Sequence, residues 1–240
     1  MTRSEFIATV APVAVKVRVD GGPLFPSVSV AQTLLETGGR IHPWNNIVGY
    51  KVGSGRRTPY WDGRCVRKGT WEVYDGRTVQ TAADFRAYNS IEDCLKDQAL
   101  LFLNNLGRYR LVVEAPDPES QARALRACGY ATDPLYADKI MAIRAAYGLE
   151  KYDREAEEAV EALKELRGEV TALRKEVATL SNQVGVLLGA HNMEVPKWAK
   201  EAVDAAVSAG LIDSPEGGSF DFYRLLTIMH RAGLIPKGVK

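Results

Sequence analysis

The sequence predicts a fold of the α+β class that is mainly α-helical and has three parts, residues 1–150, 151–192 and 193–240. In the first part, helical patterns surround an insert at 45–80 that is rich in glycine, aromatic and β-branched residues, the composition of one or two hairpins. The second part carries a seven-residue apolar repeat, which is typical of a coiled coil. The third part holds two short helical patterns joined by a turn-forming segment.

In the first part, the segment PSVSVAQTLLETGG predicts a helix with Ser27 as its N-cap and Gly38-Gly39 as its terminator. After the insert, helical patterns resume at 90–106, 118–128 and 134–147.

In the second part, the apolar repeat runs for almost five heptads. One heptad position holds Ala156, Leu163, Val170, Val177 and Val184, and the other holds Ala159, Leu166, Leu173, Leu180 and Leu187. Valine at one position and leucine at the other favours two parallel strands. We therefore expect a homodimer through residues 156–187; the alternative is a helix folded back on the first part.

The third part predicts a helix from Pro196, a residue suited to a first helical turn, to a stop signal at Gly210. The turn DSPEGGS and the helix FDFYRLLTIMHRAG follow. The segment WAKEAVDAAVSAGLI is similar to the opening helix of surface-layer homology modules, which bind wall polymers. That similarity implies a small helical wall-binding module; the alternative is a role in oligomerisation or packing.

Cysteines and histidines are few and scattered, with three of each in the 240 residues and no CxxC pair. This argues against a disulfide scaffold or a structural zinc site, so we expect no metal and no cofactor. The apolar N-terminus is interrupted by Glu5, Lys16 and Arg18. It therefore predicts neither a signal peptide nor a membrane span, and we expect synthesis in the cytoplasm.

Charge is nearly balanced over the chain, with a net charge of +1, but basic residues are concentrated at 40–77. Eight basic and three acidic residues lie in that segment, and such a patch attracts polyanions. No nucleic-acid-binding motif accompanies it, so a nucleic acid is not an expected partner.

Two carboxylates are candidates for chemistry on sugars. Glu36 lies in the last turn of its predicted helix, where the helix dipole disfavours ionisation, and a raised pKa suits the general acid of glycoside cleavage. Glu72 lies between Trp71 and Tyr74 on a predicted strand, and carboxylates beside aromatic faces are common in sugar sites. The alternatives are a solvated helix-end glutamate and an ordinary half-exposed hairpin.

Six motifs in order resemble the bacterial glucosaminidases of glycoside hydrolase family 73, which include flagellar-rod-associated wall hydrolases, autolysins and phage lysins. The motifs are FIATVAPVA, PSVSVAQTLLETG, NNIVGYK, the TWE strand, DFRAYNS, and GYATDPLYADKI leading to YGLEKYD. The chain departs from the family at Val48, where phenylalanine is common, and in a loop shortened to ETGGR. The shortened loop bears on how the sugar is gripped beside Glu36.

The resemblance implies a lysozyme-like catalytic domain at 1–150, with a small β-hairpin lobe facing a helical lobe across a groove. It implies that Glu36 is the general acid, that Glu72 is the second carboxylate, and that Tyr130 stands near the cleavage site. Either Glu72 activates a water or the acetamido group of the substrate participates. The substrate-binding residues expected from the same motifs are Asn46, Trp71, Tyr74 and Tyr136.

The implied activity is that of a peptidoglycan hydrolase, an endo-β-N-acetylglucosaminidase that cleaves the β-1,4 bond between N-acetylglucosamine and N-acetylmuramic acid. We expect a phage or prophage endolysin or an autolysin, which reaches the wall after holin-type or lytic release or as part of a virion. The alternative is a non-catalytic wall-binding or virion structural protein that uses the coiled coil as a shaft.

Overall fold

The computed structural model describes residues 1–74 and 77–235, with side chains described throughout except at 70–81, 190 and 191. Within those residues the chain forms nine helices and one two-stranded antiparallel sheet, which confirms the predicted α+β, mainly α class. The elements are α1 (Arg3–Val19), α2 (Pro26–Thr37), β1 (Cys65–Tyr74), β2 (Arg77–Arg86), α3 (Ile91–Leu103), α4 (Leu106–Val113), α5 (Pro118–Ala127), α6 (Tyr136–Ala146), α7 (Glu150–His191), α8 (Lys200–Ser208) and α9 (Phe220–Arg231).

The chain divides into two compact units, Met1–Lys164 and Glu165–Lys240, so that α7 contributes to both. The core of the first unit is built around α1 and α2. α1 begins with a capping box between Thr2 and Glu5, which satisfies N–H groups left free at a helix start. α2 is buried along most of its length, from Pro26 to Leu34. The catalytic candidate Glu36 therefore stands at the end of a helix fixed by the core.

The start of α2 differs from the prediction. The helix begins at Pro26, its N-cap is Phe25, and that side chain makes no capping hydrogen bond. Ser27 lies inside the helix and is fully buried, and its backbone N–H donates to Asp153 Oδ1 at 2.8 Å. The prediction of Ser27 as N-cap is wrong because a carboxylate distant in sequence takes the capping role. The predicted terminator is confirmed, since Gly38 adopts the left-handed conformation with φ 63°.

The insert contains one hairpin, β1 and β2, paired in register from Cys65↔Arg86 to Tyr74↔Arg77. A buried polar cluster around Asp97 of α3 holds the base of this hairpin. Arg86 Nη1 donates to Asp97 Oδ2 at 2.7 Å, and the hydroxyl of Tyr88 donates to the same oxygen at 2.7 Å. The hydroxyl of Thr58 donates to the other oxygen at 2.7 Å. The hairpin therefore rises from a base tied to the helical lobe.

The helical patterns after the insert are found at α3, α5 and α6, with one difference. The pattern at 90–106 ends at Leu103, and a separate helix, α4, follows from Leu106. Helix α4 was not predicted from the sequence. Asn104 caps α3 and Asn105 precedes α4, and asparagine at both positions suits such a break.

Helix α7 confirms the long helix predicted from the heptads, but its first heptad packs within the first unit. Ala156 is 2% exposed, and Asp153 is held by Ser27 and by Arg144. The predicted dimer contact is therefore wrong at its start, because Ala156 is buried in its own unit and is not available to a partner chain. The apolar heptad residues from Leu166 to Leu187, which we call the seam, are exposed at 39–61%.

The second unit has its own small core, in which α8 packs on α9 through the buried residues Ala199, Ala202, Val203, Ala206, Tyr223, Leu226 and Ile235. The hydroxyl of Tyr223 donates toward the carbonyls of Met193 and Pro215 and accepts from the N–H of Gly218. Pro196 is not in the first turn of α8 as predicted, because residues 197–199 form a turn before the helix begins at Lys200. In the part of the chain that the structure describes, no helix has the length and apolarity to cross a bilayer.

Candidate active site

Glu36 lies at the end of α2, on the wall of a cleft of about 650 Å³ in the first unit, which we call the Glu36 cleft. The cleft is formed by the end of α2, the loop that follows it, and residues of both strands. Gly49 comes so close that a Cβ there would lie 3.8 Å from Glu36 Oε2. Glu36 is exposed as a residue, but the walls of the cleft partly desolvate its carboxyl group. This desolvation raises the pKa of Glu36, while a hydrogen bond from Tyr136 lowers it in part.

A chain of buried hydrogen bonds connects Glu36 to Tyr130. Gln98 Nε2 donates to the hydroxyl of Tyr130 at 2.9 Å and to Gln32 Oε1 at 2.8 Å. Gln32 Nε2 donates in turn to the hydroxyl of Tyr136 at 2.8 Å, and Tyr136 bonds Glu36. Both glutamines are almost fully buried, at 0% and 1% exposure.

The number of protons on each group decides which group donates and which accepts in this series of hydrogen bonds. An amide nitrogen has two protons, and Gln98 donates both, so the Tyr130 hydroxyl accepts there and keeps its own proton. The Tyr136 hydroxyl accepts a hydrogen bond from Gln32, so it uses its own proton to donate a hydrogen bond to Glu36. Burial raises the pKa of both tyrosines, and the nearby Glu36 raises it further. Both phenols therefore stay protonated, and Tyr136 donates its hydrogen bond to Glu36.

An aromatic surface also lines the cleft. The rings of His42 and Trp44 stack with their centroids 4.4 Å apart and an interplanar angle of 6°. Asn45, between them, has φ 54°, and its amide donates to the carbonyls of Tyr88 and Asn89. The loop is therefore anchored so that both rings face the cleft, and a flat ring pair of this kind is suited to stacking on the apolar face of a sugar.

The cleft is basic. Arg40, Lys51 and Lys68 line it beside Glu36, and Lys68 Nζ lies 5.7 Å from the centroid of the Trp44 ring. Burial lowers the pKa of His42, with smaller contributions from Lys68 and Arg40. Among the described residues, no group of three histidine, cysteine, aspartate or glutamate side chains is placed to hold a metal ion.

Residues 15–149 match the family model of the glucosaminidases, described as mannosyl-glycoprotein endo-beta-N-acetylglucosaminidase. The chain belongs to this family. The match covers more than half of the 240 residues and includes Glu36, both strands and the buried hydrogen-bond chain.

Glucosaminidase relatives with curated descriptions are similar over the same part of the chain. The exo-glucosaminidase LytG of Bacillus subtilis is 35% identical over 143 residues, which are 54% of this chain and 46% of that protein. The peptidoglycan hydrolase FlgJ of Pseudomonas aeruginosa is 37% identical over 155 residues, 58% of this chain and 35% of that protein. This chain thus spans less than half the length of either relative.

Solved structures extend the similarity to the fold. A peptidoglycan hydrolase mutant from Sphingomonas sp. A1 is 33% identical with a TM-score of 0.53, over 63% of this chain and 97% of that one. The catalytic domain of the autolysin Auto from Listeria monocytogenes is 26% identical with a TM-score of 0.54, over 62% and 86% of the two chains. The lysozyme-like glucosaminidase fold expected from the sequence is therefore confirmed.

The structure brings three of the predicted site residues together, Glu36, Tyr130 and Tyr136. Asn46 lines the cleft but is 5% exposed, and its amide bonds the backbone of Tyr50 and Arg86. Its substrate-binding role and that of Tyr136 stay predictions, since the described bonds of both are made within the protein. The side chains of Glu72, Trp71 and Tyr74 lie outside the described residues, and only their backbone positions in β1 are known.

Four residues of the candidate site were not predicted from the sequence: Gln32, Gln98, His42 and Trp44. Gln32 precedes Glu36 by one helical turn on the same face of α2, a spacing that could have drawn attention to it. Gln98 carries no such signal, because its partners are distant in sequence. Trp44 follows His42 in the shortened loop. A tryptophan in the loop after a candidate acid could have indicated a sugar-binding residue.

Proposed function

We propose that this glucosaminidase-family chain is a peptidoglycan hydrolase that cleaves the β-1,4 bond on the reducing side of N-acetylglucosamine, with Glu36 as general acid. The observation that carries the proposal is the placement of Glu36, whose pKa is raised beside an aromatic surface and a fixed pair of phenols. The relatives named as an exo-glucosaminidase and a peptidoglycan hydrolase support the same substrate class.

In the proposed reaction, protonated Glu36 gives its proton to the glycosidic oxygen as the bond to the sugar carbon breaks. The resulting positive charge on the sugar ring is met from the other side, by a water that Glu72 activates or by the acetamido group of the substrate itself. The hydrogen bond from Tyr136 holds Glu36 in place for the transfer, and Gln98 and Gln32 connect Tyr136 to Tyr130. If Glu72 activates the water, Glu72 takes the proton of that water and Glu36 is reprotonated from solvent. If the acetamido group participates, the water that opens the cyclic intermediate gives its proton to Glu36, which restores the acid.

Substitution Glu36→Gln tests the proposal, because it keeps the size of the side chain and removes its proton. Loss of a general acid lowers the rate by about 10²–10⁴-fold, and we expect clearing of purified Gram-positive walls to fall accordingly. Glu155→Gln is the matched control, since Glu155 is an exposed glutamate of α7. Retention of more than a tenth of the activity by Glu36→Gln contradicts the assignment, and wall binding by the wild type without cleavage favours the non-catalytic alternative.

The bond is identified by its products. Digestion of walls followed by borohydride reduction should label new reducing ends on N-acetylglucosamine. Label on N-acetylmuramic acid identifies a muramidase instead, and release of free amino groups identifies an amidase or peptidase. Either result overturns the bond assignment while leaving the wall as substrate.

We also propose that two copies of the chain pair in parallel through α7, between Leu166 and Leu187. This stretch spans roughly 33 Å and carries an exposed apolar seam with valine and leucine alternating at the two heptad positions. Glu169 and Arg174 stand where an interhelical pair would form. Gly168 and Gly185 each weaken the helix by about 1 kcal/mol, so we expect an association that dilution reverses.

Leu180→Lys in the full chain tests the dimer, with Val186→Lys as the matched control. Leu180 lies in the seam, whereas Val186 is an exposed apolar residue of the same helix outside it. Light scattering at tens of micromolar should give a dimer for the wild type and for Val186→Lys, and a monomer for Leu180→Lys. A monomeric wild type refutes the pairing.

For the second unit we propose wall binding. The edge-to-face pair of Trp198 and Phe220, with centroids 5.6 Å apart, is exposed at 45% and 48%, and exposed aromatic pairs of this kind suit binding to wall polymers. Trp198→Ala in the full chain should reduce sedimentation with walls, while exposed Leu211→Ala should not. Equal sedimentation of both variants and the wild type contradicts wall binding through Trp198.

Delivery by lytic release is the remaining part of the proposal. Residues 3–19 form a core helix, with Phe6 and Val10 fully buried. We expect cells that express the chain to keep growing until their membrane is permeabilised, and to lyse then. Lysis without permeabilisation refutes this route.

A further inference from the structure

Two cations flank the aromatic surface of the Glu36 cleft. Arg40 and Lys68 line the same cleft as His42 and Trp44. Lys68 Nζ lies 5.7 Å from the centroid of the Trp44 ring. Burial lowers the pKa of His42, and the charges of Lys68 and Arg40 lie close enough to lower it further. The stacked rings and the two cations therefore form one local group, which we call the ring–cation site.

The positive charge of the ring–cation site is available to a ligand. Arg40 and Lys68 are exposed, and in the part of the chain that the structure describes neither has a hydrogen bond or an ion pair. The carboxyl group in the described lining of the cleft is that of Glu36, and its raised pKa favours the neutral form. The lowered pKa of His42 leaves its ring neutral at pH 7. An anion that enters the cleft therefore meets two cations that no described carboxylate neutralises.

The two sugars of peptidoglycan differ in charge. N-acetylglucosamine carries only hydroxyl and acetamido groups, which are neutral. N-acetylmuramic acid carries in addition a lactyl group on its ring, which ends either in a free carboxylate or in the stem peptide joined to it. The bond proposed for cleavage joins these two sugars, so a muramic acid lies next to Glu36 whenever a strand is bound for reaction. Its lactyl group is then within the Glu36 cleft itself.

We propose that the ring–cation site holds the N-acetylmuramic acid next to the cleaved bond, with the sugar packed against the stacked rings and its carboxylate bound by Arg40 and Lys68. The inference rests on the proposed function, since it takes peptidoglycan as the polymer. A guanidinium group is suited to bind both oxygens of a carboxylate, and an ammonium group adds a point charge. The ligand class is therefore a glycan whose lactyl group bears a carboxylate, directly or through its stem peptide.

The test measures binding by the full chain in a Glu36→Gln background, so that strands are not cleaved. Three probes are used: strands stripped of stem peptides, which have free lactyl carboxylates; the same strands with these carboxylates converted to methylamides; and strands with intact stems. All are first freed of phosphate polymers. We expect the stripped strands to bind about tenfold more tightly than their neutral methylamides, because two exposed ion pairs of modest strength act together.

Arg40→Gln/Lys68→Gln should lose this preference and bind the charged and neutral strands equally. Lys151→Gln/Arg154→Gln is the matched control, because it removes one lysine and one arginine that are exposed and lie outside the cleft. Lys151 Nζ also lies over an aromatic ring, 4.9 Å from the centroid of Tyr152. This control should keep the preference. A preference that survives in Arg40→Gln/Lys68→Gln, or that is absent before these substitutions, overturns the inference.

Trp44→Ala tests the position of the sugar. Loss of the ring should weaken the binding of charged and neutral strands alike, by about two- to tenfold, because the aromatic contact does not depend on the carboxylate. Unchanged binding of both probes overturns the placement of the sugar on the stacked rings.

The strands with intact stems identify the source of the carboxylate. Binding as tight as that of the stripped strands assigns the carboxylate to the stem peptide, and binding as weak as that of the methylamides assigns it to the lactyl group. Both results support the ring–cation site.

Wall clearing by the chain with Glu36 intact separates this inference from the proposed function. Clearing without a preference for charged strands leaves the hydrolase standing and overturns the ring–cation site. The preference without clearing supports the ring–cation site and overturns the catalytic proposal.

Discussion

Replacement of Gln98 by leucine would break the hydrogen-bond chain behind Glu36 at its centre. Leucine is similar in size to glutamine, so the substitution removes two hydrogen bonds and leaves little empty space. Gln32 Oε1 and the Tyr130 hydroxyl, both bonded by Gln98 Nε2, lose their donor. A buried polar atom left unsatisfied costs about 1–3 kcal/mol, so we expect a loss of about 2–5 kcal/mol in the free energy of unfolding.

For a domain of this size, that loss corresponds to a fall of about 5–15 °C in Tm. Activity should fall as well, measured well below the lowered Tm. Without Gln98, Gln32 is free to turn its amide and the proton of Tyr136 is no longer directed to Glu36. Misplacement of a reacting group by a fraction of an ångström to one ångström costs up to about 10²-fold in rate, so we expect a loss of at least about tenfold in kcat/KM.

Gln121→Leu is the matched control. Gln121 is another fully buried glutamine, and it bonds the backbone of Pro23, Phe25 and Val112 away from the Glu36 cleft. Its loss should destabilise the fold by a similar amount and leave the specific activity of the folded protein unchanged. Equal specific activities of Gln98→Leu and Gln121→Leu would refute the positioning role of the chain.

Three further expectations concern the same unit. Tyr136→Phe removes the bond that lowers the pKa of Glu36; the pKa then rises, and because the acid must be protonated, the alkaline limb of the pH–rate profile should move to higher pH. Glu72→Gln should lower turnover in the wall-clearing assay and leave wall binding unchanged, and wild-type turnover would make Glu72 a surface residue. Asp97→Ala leaves Arg86 buried and unpaired and should cost about 3–5 kcal/mol in urea unfolding, whereas a loss below 1 kcal/mol would show that this cluster does not anchor the hairpin.

The fold was largely predictable because its signals are local. The end of α2 is set by Gly38, and the long helix by its heptads. The start of α2 was not predictable by the same reasoning. Serine is favoured at N-caps, but the N–H of Ser27 donates to Asp153, which lies 126 residues away in the sequence. Local capping patterns carry no information about such a partner.

The candidate site shows the same division. Glu36 was found because its position at a helix end before two glycines is visible in the sequence. Gln98 and Gln32 were not predicted because the role of a buried glutamine depends on its hydrogen-bond partners, which only the fold shows. The arginines at 56 and 57 were counted as part of a basic segment, but only the fold separates them from Lys51 and Lys68 and gives them a cavity of their own.

The bond from Asp153 to the start of α2 has a consequence for how such enzymes can exchange parts. The glucosaminidase match ends at residue 149, yet the helix that bears Glu36 is capped by a residue four positions later. A recombination event that cut the chain at the family boundary would replace Asp153 together with the rest of α7. The helix that replaces α7 must therefore supply its own carboxylate at that turn, or the exchange must occur beyond Lys164, where the compact unit ends.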